Sequence, residues 1–114
     1  MTYYFINIGN VEFQIHLKDT FTAREIKKNI PLKGNCKKWG KEFYFYTKLN
    51  IPLEIDAKQI VRLGEIAYWP SGGAIAVGFG PTPISSGSEI KLVEKCNIWA
   101  YTTYDLKKLE TLVC

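Results

Sequence analysis

The sequence predicts an all-β protein with minor helix, built as a closed antiparallel barrel of about eight strands. Its 114 residues include seven Tyr, six Phe and three Trp, and these lie in short runs with Val and Ile, which favours strands over helices. Turn-forming residues separate the apolar runs along most of the chain. A closed barrel would leave no aromatic strand with an unpaired edge. Because the chain is too short for a second core, we expect one domain over residues 1–114.

The clearest local unit is a hairpin formed by residues 2–8 and 11–17. Gly9-Asn10 is a two-residue turn that tolerates positive φ. It sets a register in which Ile6 faces Phe13 and the apolar residues of both strands share one face. The turn and the alternation together predict that this face is buried.

One helix is predicted over residues 22–30. Thr22 and Glu25 have the spacing of a capping box, and Pro31 prevents the helix from continuing. A short helical turn is also expected after Asp105, because leucines recur near the C-terminus at helical spacing.

The remaining strands follow this helix in an aromatic and apolar part of the sequence. Residues 50–59 alternate only weakly, which fits a hairpin arm or a long loop. The other strands are predicted at 42–47, 65–69, 74–79, 90–94 and 97–103.

The net charge of +4 is unevenly distributed. Residues 24–48 contain eight Lys and Arg against two Glu, and Trp39, Tyr44 and Tyr46 lie among these cations. Cations interleaved with aromatic residues are typical of proteins that bind single-stranded nucleic acid. The charge excess is modest for such a protein, and half of the aromatic residues must face the core, so we keep this function as a second alternative. A solvated helix face and loop would explain the same charge.

Cys36, Cys96 and Cys114 are an odd number of cysteines without metal-binding or Cys-x-x-Cys spacing. We expect reduced thiols and no metal or cofactor, with a Cys36–Cys96 bond only in an oxidising cytosol. No apolar run is long enough to span a membrane, and the first residues lack the basic region of a signal peptide. These features predict a cytoplasmic protein without a membrane partner.

No group of residues has the spacing of a catalytic site. Glu42 and Glu65 both lie near aromatic residues, and they would form a carboxylate pair only if they shared a cavity. His16 has no metal ligand or nucleophile at short spacing, and the glycine-rich turns lack the lysine of a phosphate loop. The sequence therefore identifies no catalytic residue.

Three motifs follow one another along the chain. They are Asn35-x-x-x-Trp39-Gly40-x-Glu42-x-Tyr44-Phe45, Gly64-Glu65-Ile66-Ala67-Tyr68-Trp69-Pro70 and Phe79-Gly80-Pro81-Thr82-Pro83. Together they resemble the atypical cyclophilin-like family, small single-domain proteins of bacteria and archaea. The resemblance covers nearly the whole chain and implies the cyclophilin fold.

The resemblance also implies a groove that departs from that of the active cyclophilins. Those proteins are peptidyl-prolyl isomerases and place an arginine on the strand after the first helix, where it stabilises the transition state. The only arginines here are Arg24 and Arg62, outside the matching strand. The binding residues that the groove implies are Trp39, Glu42, Tyr44, Glu65, Tyr68, Trp69, Phe79 and Thr82.

An aromatic groove with few polar groups predicts a binding module for a small ligand or a peptide segment. Isomerase activity from a non-classical site stays open as the first alternative. Self-association is a further alternative, because a second copy can cover an exposed aromatic patch.

Overall fold

Nine strands, one α-helix and one 3-10 helix make up the fold in a computed structural model that describes residues 3–112 and 114. The strands are β1 (Tyr3–Ile8), β2 (Val11–Leu17), β3 (Lys33–Gly34), β4 (Lys37–Lys38), β5 (Glu42–Tyr46), β6 (Lys58–Val61), β7 (Glu65–Trp69), β8 (Ala74–Gly78) and β9 (Ile90–Tyr101). Helix α1 (Phe21–Lys27) follows β2, and the 3-10 helix (Leu106–Thr111) follows β9.

The strands form one strongly curved sheet in the order β3-β1-β2-β9-β7-β8-β5-β4, with β6 paired to β9. All pairs are antiparallel except β1 with β3. The β-rich, mostly antiparallel fold with minor helix is therefore as predicted. The closed barrel is not confirmed, because no hydrogen-bonded ladder among the described strands joins the two ends of this order.

The two ends of the sheet nevertheless lie next to each other. β3 and β4 are separated in the chain only by Asn35 and Cys36. Gly34 packs directly on the ring of Phe45 in β5, where a side-chain carbon would come within 2.7 Å of the ring. The sheet thus curls into a barrel-like shape that side-chain packing and chain connectivity hold together, without a final ladder.

The main core fills the concave side of this sheet. Helix α1 covers it through Ile26, and the 3-10 helix covers it through Leu106 and Leu109. The largest buried side chains on this side come from the strands and are Trp99, Tyr68, Phe43, Phe45, Ile6, Ile8, Ile15, Ile66 and Ile75. A smaller second cluster lies on the opposite face of β7 and β8, beneath β6 and the first half of β9.

The N-terminal hairpin has the predicted register. Ile6 lies opposite Phe13, both side chains are buried, and Gly9 adopts a φ of +59° in the turn. Thr2, the predicted first residue of the hairpin, lies outside the described residues.

The helix boundary and the final strands differ from the prediction. Helix α1 spans residues 21–27 rather than 22–30, and its N-cap is Thr20, whose hydroxyl accepts a hydrogen bond from Ala23 N at 3.0 Å. Thr22 does not cap the helix because its hydroxyl is buried and donates to Glu54. The two strands predicted at 90–94 and 97–103 form the single strand β9.

The cysteine prediction is wrong in part. Cys36 and Cys114 form a disulfide, and Cys96 is a free, buried thiol. The 3-10 helix brings the C-terminus beside β4, where Lys38 Nζ donates to Glu110 O at 3.1 Å. The two cysteines are 78 residues apart in the chain, so their spacing contained no signal for this pairing. Neither helix among the described residues has the length and hydrophobicity needed to span a bilayer, and the cytoplasmic location stays a prediction.

A buried polar network joins α1, the loop before β6 and β9. Asn97 Oδ1 accepts from Glu54 N at 2.8 Å, and Asn97 Nδ2 donates to Thr22 Oγ1 and Pro52 O, both at 2.9 Å. The Glu54 carboxylate in turn accepts from Thr22 N at 2.9 Å. Since the Asn97 side chain uses both its acceptor and its donors, one residue fixes three segments that are distant in sequence.

Replacing Asn97 with Ala should lower the free energy of unfolding by about 3 kcal/mol, because buried polar partners would lose their hydrogen bonds. Asn50 is an exposed asparagine in the same loop region and provides the matched control. Asn50→Ala should change the free energy of unfolding by about 0.5 kcal/mol or less. Urea unfolding of both variants measures this difference, and equal stabilities would contradict the role of the network.

Candidate functional site

A cavity of about 220 Å³ opens on the convex face of β5 and β8, next to the second hydrophobic cluster. Side chains from β5, β7, β8 and β9 and from the turn before β5 surround it. The lining residues are Trp39, Glu42, Tyr44, Tyr46, Trp69, Ala74, Ala76, Leu92, Val93 and Cys96.

The alternation of β5 and β8 creates this cavity. Phe43 and Phe45 point into the main core, so the even-numbered residues of β5 face the cavity. On β8 the cavity-facing positions opposite Tyr44 and Tyr46 are Ala76 and Ala74. These short side chains leave space over the sheet, and the longer aromatic side chains on both sides form its walls.

The aromatic walls have defined orientations. The rings of Tyr44 and Tyr46 are perpendicular, with centroids 5.7 Å apart and an interplanar angle of 87°. Trp69 lies across the cavity on β7, and its Nε1 donates to Glu94 Oε1 at 2.6 Å. The fourth wall residue, Trp39, is tied to β5 because its backbone N donates to Glu42 O at 2.9 Å.

Glu42 is the one carboxylic acid among the described residues that line the cavity. The residue is only 5% exposed, and its Oε1 has no hydrogen-bond partner among the described residues. Removal from water disfavours the charged form, so burial raises the pKa of Glu42 from 4.5 to about 7. A carboxyl group with this pKa exists in both protonation states near neutral pH.

Two neighbours of Glu42 titrate at higher pH. Burial raises the pKa of Tyr44, and the neighbouring Tyr46 raises it further. Burial, together with the charges of Glu42 and Glu94, raises the pKa of Cys96 to about 12. Because the reactive form of cysteine is the thiolate, Cys96 is a packing residue and not a nucleophile at neutral pH.

Four of the eight residues implied by the sequence line the cavity, and the other four do not. Trp39, Glu42, Tyr44 and Trp69 are the four that the structure brings together. Tyr68 is fully buried in the main core, and its hydroxyl donates to Leu49 O at 3.0 Å and accepts from Ile51 N at 3.1 Å.

Phe79, Glu65 and Thr82 have structural contacts elsewhere. Phe79 stacks on Phe43 in the core, with centroids 5.2 Å apart. Glu65 pairs with Lys58 Nζ at 2.8 Å and does not line the cavity, so Glu42 and Glu65 do not form a shared site. Thr82 is buried, and its hydroxyl donates to the backbone carbonyl of Lys91.

Sequence reasoning did not include six of the lining residues. Strand alternation contains the signal for Tyr46, Ala74 and Ala76, because each lies two residues from another cavity-facing position. The remaining three come from β9, which only the tertiary fold brings over β5, and they are Leu92, Val93 and Cys96.

Comparison with known proteins gives the family. The family described as cyclophilin-like matches residues 3–112. The chain belongs to the cyclophilin-like family. The domain is also similar to the solution structure of a hypothetical protein from Archaeoglobus fulgidus, with 32% identity and a TM-score of 0.72 over 87% of this chain and 77% of that chain. No curated protein matches it.

The cavity of this cyclophilin-like domain lacks an arginine among the described residues that line it. Arg24 lies on α1 and pairs with Asp19 at 2.8 Å, and Arg62 lies in the exposed turn before β7. His16 on β2 stacks on Tyr101 on β9, with ring centroids 5.0 Å apart. It does not line the cavity either.

Replacing Glu42 with Gln tests the buried carboxyl group through the pH dependence of stability. The folded protein keeps a proton that the unfolded chain releases near pH 4.5, so wild-type stability falls as the pH rises to about 7. At about 1.4 kcal/mol per pKa unit, the wild type should lose about 3 kcal/mol relative to Glu42→Gln over this range, and no more above it. Chemical denaturation at a series of pH values measures this difference.

Glu12→Gln is the control for this experiment, because Glu12 is an exposed residue on β2. This variant should keep the pH dependence of the wild type. If the wild-type and Glu42→Gln stabilities changed in parallel with pH, Glu42 would not be the buried acid that the structure indicates.

Proposed function

We propose that this cyclophilin-like domain is a binding module whose cavity takes a small organic ligand, either free or at the end of a peptide side chain. The observation that carries the proposal is a preformed cavity with aromatic walls and the buried carboxyl group of Glu42, whose Oε1 has no hydrogen-bond partner among the described residues. Apolar and aromatic surfaces with a few polar groups that fix orientation are typical of small-molecule sites.

The size of the cavity supports a small ligand. At about 220 Å³ it is smaller than the roughly 300–1,000 Å³ of sites for drug-sized molecules. A peptide backbone would need an extended groove, whereas this cavity has room for one compact group. The peptide form of the proposal is therefore recognition of one side chain.

The basic segment gives no comparable support for nucleic-acid binding. Lys41 pairs with Glu110 at 3.2 Å, and Lys28 pairs with Glu25 at 2.8 Å. Tyr44 and Tyr46, which would stack on bases, line the cavity together with Glu42 from the same strand, β5. A carboxylate beside the stacking rings would repel a phosphate backbone.

Ligand binding should be visible at the indole N–H groups of the three tryptophans. Trp39 and Trp69 line the cavity, whereas Trp99 is fully buried in the main core. In 15N-resolved NMR spectra, a bound member of a library of small organic fragments should shift the signals of Trp39 and Trp69 and leave that of Trp99 in place. Shifts confined to other parts of the domain, or no shifts with any fragment, would contradict the proposal.

A pair of tyrosine variants separates the cavity from the general surface. Tyr46 on the cavity rim and Tyr101 on β9 are similarly exposed, at 52% and 48%. Tyr46→Ala should weaken binding of a fragment about fivefold, which corresponds to the loss of one aromatic contact. Tyr101→Ala should not change the affinity, and equal effects of both substitutions would place the ligand elsewhere.

We expect no acceleration of prolyl isomerisation, because no arginine among the described residues lines the cavity. Two-dimensional exchange NMR of a short Xaa-Pro peptide with catalytic amounts of the protein measures this directly. Exchange faster than the uncatalysed rate and abolished in Glu42→Gln would replace the binding proposal with a non-classical isomerase.

A further inference from the structure

The cavity has two features that an apolar pocket would not need. One is the buried carboxyl group of Glu42, and the other is the set of four aromatic residues around it, Trp39, Tyr44, Tyr46 and Trp69. We propose that the ligand is an organic ammonium ion that donates an N–H to Glu42 while the aromatic rings surround its cationic end. This inference rests on the proposed function and names the chemical class of its ligand.

Charge is the first argument for an ammonium ion. The ion pairs among the described residues use other carboxylates, namely Asp19, Glu25, Glu65 and Glu110. The Glu42 carboxyl is instead buried without a cation, an arrangement that costs free energy when the group is ionised. An ammonium ion would supply both the opposite charge and the missing donor in one charge-assisted hydrogen bond.

The arrangement of the aromatic residues is the second argument. Tyr44 and Tyr46 present perpendicular rings 5.7 Å apart, and Trp69 is held by its hydrogen bond to Glu94. Aromatic residues grouped around one point attract cations through the negative faces of their rings. The cation–π contacts found among the described residues involve Phe43 and Tyr104, on which lysines lie, so these four rings have no cation from the chain itself.

The carboxyl group of Glu42 also selects among ammonium ions, because it can accept a hydrogen bond. A quaternary ammonium has charge but no N–H, so it would form no hydrogen bond with Glu42. A neutral alcohol has a donor but no charge, so it would gain neither the ion pair nor the cation–π attraction. A primary or secondary alkylammonium supplies the positive charge, the N–H donor and the cation–π contact together.

The protonation of Glu42 makes such binding pH-dependent. The pKa of Glu42 is about 7 in the cavity, and a cation binds only its ionised form. The affinity at pH 6 should therefore be about tenfold lower than at pH 8. The other titratable groups beside Glu42 are Tyr44, Tyr46 and Cys96, which line the same cavity, and Glu94, which accepts from Trp69. On the neighbouring strand β4, Lys37 pairs with Tyr44, and Lys38 pairs with Phe43 and lies over its ring, away from the cavity.

Three matched probes test the proposal: n-butylammonium, butyltrimethylammonium and 1-butanol. Their affinities are measured from the shifts of the Trp39 and Trp69 indole signals. Butylammonium should bind at least tenfold more tightly than butanol and more tightly than the trimethyl compound, and Glu42→Gln should reduce it to the affinity of butanol. Equal affinities of butylammonium and butyltrimethylammonium would overturn the claim that the ligand donates an N–H to Glu42.

The failure of this inference can be told apart from the failure of the proposed function. If butanol binds as tightly as butylammonium, or if only neutral fragments shift the cavity signals, the ammonium class is overturned and the binding module stands. If no fragment of any class shifts these signals, both proposals are overturned.

A fourth probe distinguishes the two sources of an alkylammonium group. Nα-acetyl-lysine methylamide carries the butylammonium group within a polypeptide-like backbone. Binding as tight as that of butylammonium or tighter supports a lysine side chain of a protein partner. Binding at least tenfold weaker supports a free small amine, because the backbone would then clash with the rim.

Discussion

The pairing of the long strand β9 determines the rest of this structure. Its last residues pair with β2 and β7, and its first residues pair with β6. Through β9 the N-terminal hairpin becomes part of the same sheet as β7, β8, β5 and β4. A twelve-residue strand thus lies in the main sheet at one end and covers its convex face at the other.

The cavity forms because β9 leaves the main sheet and passes over its convex face. β8 has small residues on its convex side at Ala74 and Ala76, which would otherwise be open to water beneath the tyrosines of β5. The first half of β9 closes one side with Leu92 and Val93. The network around Asn97 fixes the point at which the strand leaves the main sheet. The walls are therefore held by packing and hydrogen bonds that exist before any ligand arrives, which lowers the entropic cost of binding.

Glu42 is a buried acidic residue among the mainly apolar and aromatic residues that line the cavity. Strand propensity and core packing would both favour an apolar residue at this buried position, and the ionised carboxyl reduces stability near neutral pH. Violations of such rules are concentrated at functional sites, where a group is kept for what it binds. The family match and the similar archaeal structure fix the fold of this domain, whereas the site has to be argued from its own chemistry.

Local patterns determined a large part of this protein. The Gly9-Asn10 turn and the alternation around it gave the hairpin register, and alternation within residues 42–46 separated core-facing Phe43 and Phe45 from the side chains that meet the cavity. These features depend on neighbours in sequence, so the sequence alone was sufficient. The same is true of Trp39, Glu42 and Tyr44, which lie close together in the chain.

Only the tertiary structure decided which distant residues meet. The Cys36–Cys114 bond, the capture of Thr22 by Glu54 in place of helix capping, and the position of Leu92 and Cys96 over β5 all depend on contacts between segments far apart in the chain. The absence of a ladder between the described end strands β3 and β4 also depends on such contacts, because a barrel closes only where its first and last strands align for hydrogen bonding. Residue type and spacing contain no information on such contacts, since they arise from the curvature of the sheet and the path of β9.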